Sequence, residues 1–317
     1  MAWPSRPSIW GSELAGVQRD IAAIAQAIAA YEPVVMCAHP SALESARTAC
    51  GATVRCIDSI PVDDCWMRDS GPVFSVDGTG GLAAVGLNFN GWGGKQEHRD
   101  DARVAARVAA LAGTPFHRGA LVCEGGAIES DGDGTLLATE SSIINANRNP
   151  GIGKARIERA MCAAYGAQKV VWLRGIRGKD ITDDHVDATS RFVRPGVVVV
   201  QVPPAERSDI WARDERRQAR TLATATDAHG RRLRVIRITG PSTVRSTSPD
   251  FVDSYVNYYV ANGAVIAPEF GDVAADASAK AALARSFPGR VVEQVKIDHL
   301  AAGGGGIHCV TQQQPRP

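Results

Sequence analysis

The segment Gly304-Gly305-Gly306-Ile307-His308-Cys309, close to the end of the chain, echoes Glu124-Gly125-Gly126-Ala127-Ile128-Glu129 in its middle. An echo of this kind indicates an internal repeat, with chemistry at equivalent places in different structural units. Because glycine runs are common in loops, the echo alone does not define the repeat. The hydrophobic pattern of the rest of the chain is needed as well.

Around these segments the hydrophobic pattern alternates between single helices and groups of strands. Residues 12–31 carry apolar side chains at helical spacing. The loop Asp77-Gly78-Thr79-Gly80-Gly81 predicts a hairpin, as does Asp131-Gly132-Asp133-Gly134, and a third hairpin is predicted from strands at 255–260 and 264–267. Hairpins argue against a purely parallel doubly wound sheet and favour a mixed α/β fold.

Composition narrows the class of protein. The chain has 317 residues, 44% of them hydrophobic and 22% charged, with a net charge of +1. That charge gives no field to attract nucleic acid or a membrane surface, so a cationic substrate would need carboxylates of its own. No Pro- or Ser-rich linker divides the chain, and we therefore expect one domain over residues 1–317.

The cysteines and the ends of the chain point to a cytoplasmic protein. Seven scattered cysteines include no C-x-x-C pair, so a zinc knuckle is not predicted. We found neither a secretory signal nor a transmembrane span in the sequence. The number of subunits is left open, a homo-oligomer included.

Polar and glycine-rich stretches collect in loops, where binding and catalysis usually lie. In order, they resemble the agmatine deiminases within the bacterial peptidyl-arginine deiminase-like family, over the whole chain. The matching stretches are Trp66–Asp69, Phe89–Lys95, Glu124–Gly126, Asn145–Pro150, His185–Asp187, Ser254–Tyr259, Pro268–Asp272 and Ile307–Pro315.

The resemblance implies a fold and an activity. The fold is the five-bladed α/β-propeller of guanidine-modifying enzymes, with the site at its central axis. The activity is hydrolytic deimination of a small cationic guanidine, agmatine being favoured, with no metal or cofactor. Composition, periodicity and spacing by themselves indicate only that strands alternate with helices. The number of blades comes from the resemblance.

The resemblance also assigns the reacting groups, and elementary chemistry agrees with each. A resonance-stabilised guanidinium carbon needs a strong nucleophile, which Cys309 would supply as a thiolate. Asp69 and Asp187 would hold the planar N–H fork. His185 would protonate the departing nitrogen, and Glu124 would hold His185 or the substrate.

Two tryptophans and the spacing of His185 complete the predicted site. Trp66 and Trp92 lie in the matching stretches and are expected to bind substrate, although a core position is the ordinary alternative for either. His185 and Asp187 are two residues apart, so an extended strand would turn both side chains to one face. We read Cys65 and Cys123 as packing residues.

Two departures from the family pattern bear on specificity. Asp184 stands where relatives usually carry a small residue, and Gly306 where they often carry asparagine. A carboxylate at position 184 would raise the pKa of His185 if it faced the site. Free arginine needs a cation for its carboxylate, and the sequence does not say whether Lys95 or Arg68 faces the cavity.

Other functions stay open at this stage. Within the enzymes these are deimination of peptidyl or free arginine, and transfer of the amidino group to an amine. Outside them stands a guanidine-binding protein without turnover, against which the joint presence of cysteine, histidine and three carboxylates argues. Met1–Pro7 resembles a segment that is internal in relatives, so we expect the chain to begin upstream or to lack a short N-terminal strand.

Overall fold

A computed structural model describes residues 1–77 and 79–316. Gly78, in the first predicted hairpin loop, lies outside the described residues. The strands are β1 (Val34–Cys37), β2 (Val54–Ile57), β3 (Val73–Val76), β4 (Leu82–Gly86), β5 (Phe116–Arg118), β6 (Ile128–Ser130), β7 (Thr135–Thr139), β8 (Lys169–Leu173), β9 (Ser190–Arg194), β10 (Val197–Val202), β11 (Arg234–Thr239), β12 (Tyr259–Ala261), β13 (Ala264–Glu269) and β14 (Val291–Lys296).

The helices lie before, between and after these strands and are mostly short. They are α1 (Pro7–Trp10), α2 (Leu14–Ala29), α3 (Leu43–Cys50), α4 (Met67–Ser70), α5 (Gly91–Gly94), α6 (Val104–Leu111), α7 (Glu140–Ile143), α8 (Lys154–Tyr165), α9 (Ile210–Thr224), α10 (Val273–Ser286) and α11 (Asp298–Ala302). Short 3₁₀ turns span Gly11–Glu13, Pro40–Ala42, Asp101–Arg103, Gly125–Ala127 and Val186–Ala188.

One unit recurs along the described chain. An antiparallel pair of strands is followed by a helix and then by a strand that pairs in parallel with the second of the pair. The three-stranded sheets are β3-β4-β5, β6-β7-β8, β9-β10-β11 and β12-β13-β14. The fifth sheet, β1-β2, is parallel with α3 between its strands, and Ala2 makes a parallel bridge to Cys37 at its edge.

Local chemistry explains where the longer helices begin. The side chain of Asp209 accepts a hydrogen bond from the backbone N–H of Ala212 at 2.9 Å, which caps α9. Asp272 caps α10 in the same way through Ala275. In α2, the predicted apolar stripe is buried, with Val17, Ile21 and Ile24 fully inaccessible, and this confirms the helix predicted for residues 12–31.

The predicted hairpins are confirmed as antiparallel pairs, with one correction. β3 pairs with β4, β6 with β7 and β12 with β13. The strand predicted for residues 255–260 is wrong at its start, because β12 begins only at Tyr259. Tyr255 and Asn257 instead lie in irregular chain whose polar groups serve tertiary hydrogen bonds.

The largest buried cluster joins both ends of the chain. Trp3 and Trp10 pack in the same cluster as Ile307 and Val310, together with Trp66 and buried residues of the β12-β13-β14 sheet. This packing fixes the terminal segment that carries Cys309 against residues from the start of the sequence. The chain therefore brings distant motifs to one place through its core.

Candidate active site

A cavity of about 350 Å³ opens between the loops that carry the predicted residues. Its lining is formed by Ile9, Trp10, Glu13, Asp64, Trp66, Asp69, Trp92, Gln96, Asp180, Ile181, Thr182, His185, Asp187, Ala188, Asp250, Val252, His299, Ala302, Gly303, Gly304, Gly305 and Cys309. Six of the predicted site residues are among them; the seventh, Glu124, lies behind the wall.

Cys309 is partly exposed to this cavity at the end of the glycine run. Its Sγ lies 3.3 Å from Asn257 Nδ2 and 3.6 Å from Asp187 Oδ2. Burial, followed by the charges of Asp187 and Asp69, raises the pKa of the Cys309 thiol well above its ordinary value. At neutral pH the thiol is therefore protonated, and a cation bound between these carboxylates would offset the two charge effects.

One carboxylate oxygen of Asp187 has no hydrogen-bond partner among the described residues. Its Oδ2 accepts a hydrogen bond from His308 Nδ1 at 2.6 Å, whereas Oδ1 is buried and has no partner among the described residues. Burial raises the pKa of Asp187 to about 6, opposed by His185 and increased by Asp69. A buried acceptor without a donor is costly, and a guanidinium N–H would satisfy it.

Asp69 is held by donors on both oxygens. The backbone N–H of Gly126 donates to Oδ1 at 2.9 Å, and Trp92 Nε1 donates to Oδ2 at 2.9 Å. Burial raises the pKa of Asp69, while His185 opposes the rise. A Cβ at position 126 would lie 2.8 Å from His185 Nδ1, so the close approach requires glycine there.

Trp92 reaches Asp69 from an unusual turn. All four residues of α5, Gly91 to Gly94, have positive φ, and Trp92 at 54° is the one that is not glycine. The side chain of Asn90 supports the turn by accepting from Gly93 N at 2.8 Å. A bulky residue in the left-handed region costs roughly 1–2 kcal/mol, and such strain clusters at functional sites.

His185 is held in a line of charged groups. Its Nε2 lies 3.2 Å from Glu124 Oε2, and its Nδ1 lies 3.7 Å from Asp69 Oδ2. Burial opposes protonation, but Asp69 and Glu124 prevail and raise the pKa of His185 to about 9. Behind it, Arg148 Nε donates to Glu124 Oε1 at 3.0 Å. At neutral pH the imidazole therefore carries a proton that it can donate.

Glu124 holds His185 and does not reach the cavity. Of the two alternatives that the sequence left, the geometry selects the first. Burial raises the pKa of Glu124, yet His185 and Arg148 outweigh it and lower that pKa below its ordinary value. An ionised Glu124 fixes the imidazole through Nε2 and leaves Nδ1 to face Asp69.

The extended strand predicted for residues 185–187 is wrong. Val186–Ala188 is a 3₁₀ turn that His185 precedes in extended conformation. His185 and Asp187 still line the same cavity, because the tight turn, rather than a strand, turns their side chains to one side. Asp183 and Asp184, which precede His185, have φ of 63° and 71°. The motif alone did not indicate that these two residues adopt the left-handed conformation.

Asp184 faces away from the cavity. Its carboxylate is buried and accepts the backbone N–H of Ile176 at 2.9 Å. Burial and Asp180 raise the pKa of Asp184 to about 8. The condition on which Asp184 was expected to act, that it face the site, is therefore not met, and the groups that raise the pKa of His185 are Asp69, Glu124 and Asp187.

Lys95 and Arg68 do not line the cavity either. Lys95 Nζ donates to Asp183 Oδ2 at 2.7 Å and to Ile181 O at 2.9 Å. Arg68 is buried and turns to the terminal segment, donating to Gln313 Oε1 at 2.9 Å. Among the residues that the structure describes, the cavity lining contains six carboxylates and two histidines but no lysine or arginine.

Sequence reasoning missed three residues that support the site. His308 contacts Asp187, Asn257 contacts Cys309, and Arg148 contacts Glu124. All three lie inside the family-like stretches, so their position was available, but no chemical role could be assigned before the contacts were known.

The remaining cysteines are not part of the cavity. Cys65 and Cys123 are buried and free, in line with their reading as packing residues. Over residues 1–77 and 79–316, no group of three or more His, Cys, Asp or Glu side chains could hold a metal ion. In the same part of the chain, no helix is long and apolar enough to cross a membrane.

Comparison with known proteins gives a consistent family. The model of the Porphyromonas-type peptidyl-arginine deiminases matches residues 1–315. An agmatine deiminase of Stutzerimonas stutzeri is 38% identical, covering 100% of this chain and 92% of its own. One from Pseudomonas aeruginosa is 37% identical over the same shares. The solved agmatine deiminase of Enterococcus faecalis superposes with a TM-score of 0.93 at 27% identity, covering 100% and 92% of the two chains.

Proposed function

The chain belongs to the Porphyromonas-type peptidyl-arginine deiminase family, and on that premise we propose that it hydrolyses agmatine to N-carbamoylputrescine and ammonia. It is a hydrolase of C–N bonds in linear amidines. The relatives named for agmatine deimination cover the whole chain, and its cavity carries the groups that this reaction needs.

The charge of the cavity is the observation that favours agmatine over arginine. Both molecules carry an ammonium group at the end opposite the guanidinium, but arginine carries a carboxylate there as well. With six lining carboxylates and neither Lys95 nor Arg68 present, an arginine carboxylate would meet like charge without a cation. Like-charge contacts of this kind cost several kcal/mol, which corresponds to a preference of ~100-fold or more.

The reaction begins with capture of the guanidinium. Asp187 Oδ1 and the carboxylate of Asp69 accept its N–H groups, and Trp66 and Trp92 line the pocket. The bound positive charge lowers the pKa of Cys309, whose proton is released to solvent, where the ammonia formed later takes one up, and the thiolate forms beside the substrate carbon.

Two displacements then complete the turnover. Cys309 Sγ forms a bond to the guanidinium carbon, His185 gives its proton to a nitrogen, and the C–N bond breaks to release ammonia. Neutral His185 next takes a proton from water, whose oxygen attacks the amidino carbon. The C–S bond breaks and the hydroxyl proton of the adduct passes to the departing sulfur, leaving the neutral ureido product, the Cys309 thiol and protonated His185.

Ammonia release from agmatine, free arginine and a blocked arginyl peptide, measured side by side, tests the substrate. We expect kcat/KM for agmatine to exceed both others by ~100-fold or more. Equal or greater kcat/KM for arginine or the peptide would reject agmatine as the substrate, and binding without ammonia release would favour a guanidine-binding protein.

We also propose that the five sheets are the blades of a five-bladed α/β-propeller. Four sheets share one strand order, and the fifth retains the strand–helix–strand part of it. A crystal structure in which the β1-β2 sheet lies between the first and last three-stranded sheets around one axis would agree. An open row of sheets would not.

A single domain and a cytoplasmic location complete the proposal. Packing of both chain ends in one core supports the former, and seven free cysteines fit a reducing compartment. One cooperative thermal transition and recovery of the native protein in the soluble cytoplasmic fraction are the expected results. Two separate transitions, or recovery from a secreted fraction, would contradict them.

A further inference from the structure

His308 stands next to the nucleophile, yet it does not line the cavity and has no part in the reaction described above. Only 3% of its surface is exposed. Its Nδ1 lies 2.6 Å from Asp187 Oδ2, the shortest contact that Asp187 makes to another side chain among the described residues. This short, buried contact joins two site motifs that lie 121 residues apart in the sequence.

The contact is a hydrogen bond from a neutral imidazole. Burial and the nearby cations Arg191 and Arg68 hold the pKa of His308 well below its ordinary value. A neutral histidine donates from one nitrogen only, and the carboxylate at 2.6 Å selects Nδ1 as that nitrogen. Hydrogen bonds to an ionised acceptor are short and about twice as strong as neutral ones.

This bond decides which oxygen of Asp187 is available. With Oδ2 occupied by His308, the buried Oδ1 is the oxygen left for a guanidinium N–H. Donation to the charged form also opposes the effect of burial on the carboxyl group, since hydrogen bonding to an anion favours it. His308 thus orients Asp187 and helps to keep it ionised.

The backbone of His308 is anchored on the same side. Its N–H donates to Asn257 Oδ1 at 2.9 Å. Asn257 Nδ2 in turn donates to the carbonyl of Asp187 at 3.2 Å and lies 3.3 Å from Cys309 Sγ. The segment that carries the nucleophile and the turn that carries Asp187 are therefore tied together through both side chain and backbone.

We propose that His308 is a positioning residue that holds Asp187 for guanidinium capture and couples its placement to that of Cys309. The inference rests on the proposed function, in that Asp187 is the group that receives the guanidinium. A purely structural histidine would fill the same space without affecting the ionisation of Asp187.

Two amide substitutions separate these roles. In His308→Asn, the side-chain amide N–H can take the place of Nδ1–H. In His308→Gln, the amide is carried one carbon further, near the place of Nε2, so polarity and size are kept while the donor to Asp187 is lost. Both are made in the Cys309→Ser background, so agmatine binding can be measured by calorimetry without turnover.

We expect His308→Asn to bind agmatine within about threefold of the parent. His308→Gln should bind tenfold more weakly or worse, the value of a hydrogen bond to a charged group. The acid side of its binding curve should also move to higher pH by about one unit, because Asp187 has lost a donor. With Cys309 restored, the Gln change should fall mainly on KM.

The proposal is overturned by a His308→Gln variant whose binding curve keeps the pH dependence of the parent. Equal losses in the Asn and Gln variants would also overturn it, since they would reveal a role in packing alone. If circular dichroism shows that His308→Gln does not fold, the test rests on a folded His308→Asn variant. Agmatine binding to that variant more than about thirtyfold weaker than to the parent rejects the proposal. Because binding is measured without turnover, failure of the hydrolysis itself is detected separately, by ammonia release from the wild type.

Discussion

The pH dependence of agmatine binding follows from the ionisation of Asp187. Burial raises the pKa of this carboxyl group to about 6, and its free Oδ1 is the proposed acceptor for the guanidinium. The perturbation is a change from pH 8 to pH 5 in the Cys309→Ser variant, which removes the thiol proton from consideration.

The direction and size of the pH effect on agmatine binding follow from the ionisation of Asp187 in the free and the bound protein. Agmatine binds the ionised carboxylate and stabilises it, so a proton must leave whenever agmatine binds the protonated form. At pH 5, one unit below the pKa, about one molecule in eleven has Asp187 ionised, and the apparent Kd should rise about tenfold. Asp69, whose pKa is also raised by burial, can only make the rise steeper.

Isothermal titration calorimetry at half-unit steps measures this directly, and two buffers of different ionisation enthalpy count the released protons. The matched control is Asp187→Asn, which should bind weakly and lose most of the dependence. A Kd that stays constant between pH 8 and pH 5, or a dependence that survives unchanged in Asp187→Asn, would refute the role given to Asp187.

Three further predictions follow from the same contacts. Asp69→Asn and Asp187→Asn should each lower kcat/KM by roughly 10- to 150-fold, because a charge-assisted hydrogen bond contributes about 1.5–3 kcal/mol. Losses below about tenfold in both variants would contradict guanidinium capture by this pair. Gly126→Ala should reduce kcat/KM ~100-fold, because its Cβ would lie 2.8 Å from His185 Nδ1 and 2.9 Å from Asp69 Oδ1. The control Gly153→Ala should stay active, because its Cβ meets nothing within 4 Å. Full activity of Gly126→Ala would contradict the prediction and show that the site tolerates the displacement. Activity should survive EDTA, since no step needs a Lewis acid, and inhibition that a divalent ion reverses would overturn this.

Much of the secondary structure could be predicted because its signals are local. The apolar spacing in α2 and the Asp-Gly turns between β6 and β7 depend on neighbours in sequence, and both are present. The irregular chain before β12 could not be predicted, because Tyr255 and Asn257 are committed to partners far away in sequence. The left-handed residues Asp183 and Asp184 are likewise held by the surrounding structure, since their own preference is for φ < 0.

The same distinction between local and distant determinants applies to the candidate site. Which residues meet could be anticipated from the ordered motifs, and the structure places Cys309, His185 and Asp187 around one cavity. What each residue does there depends on contacts across more than 50 residues of sequence, such as Asn257 on Cys309. Side-chain direction is equally non-local, which is why Asp184 and Lys95 point away from the cavity although their motifs flank it.

The most direct test of the account is the covalent state of Cys309 during turnover. Wild-type protein mixed with agmatine, quenched in acid within the first turnovers and digested, should carry the amidino group of the substrate on the peptide that contains Cys309. The buried Cys65 and Cys123 should stay unmodified, and folded Cys309→Ser should neither form the adduct nor release ammonia. Undiminished turnover by Cys309→Ser, or an adduct on any other residue, would contradict the mechanism.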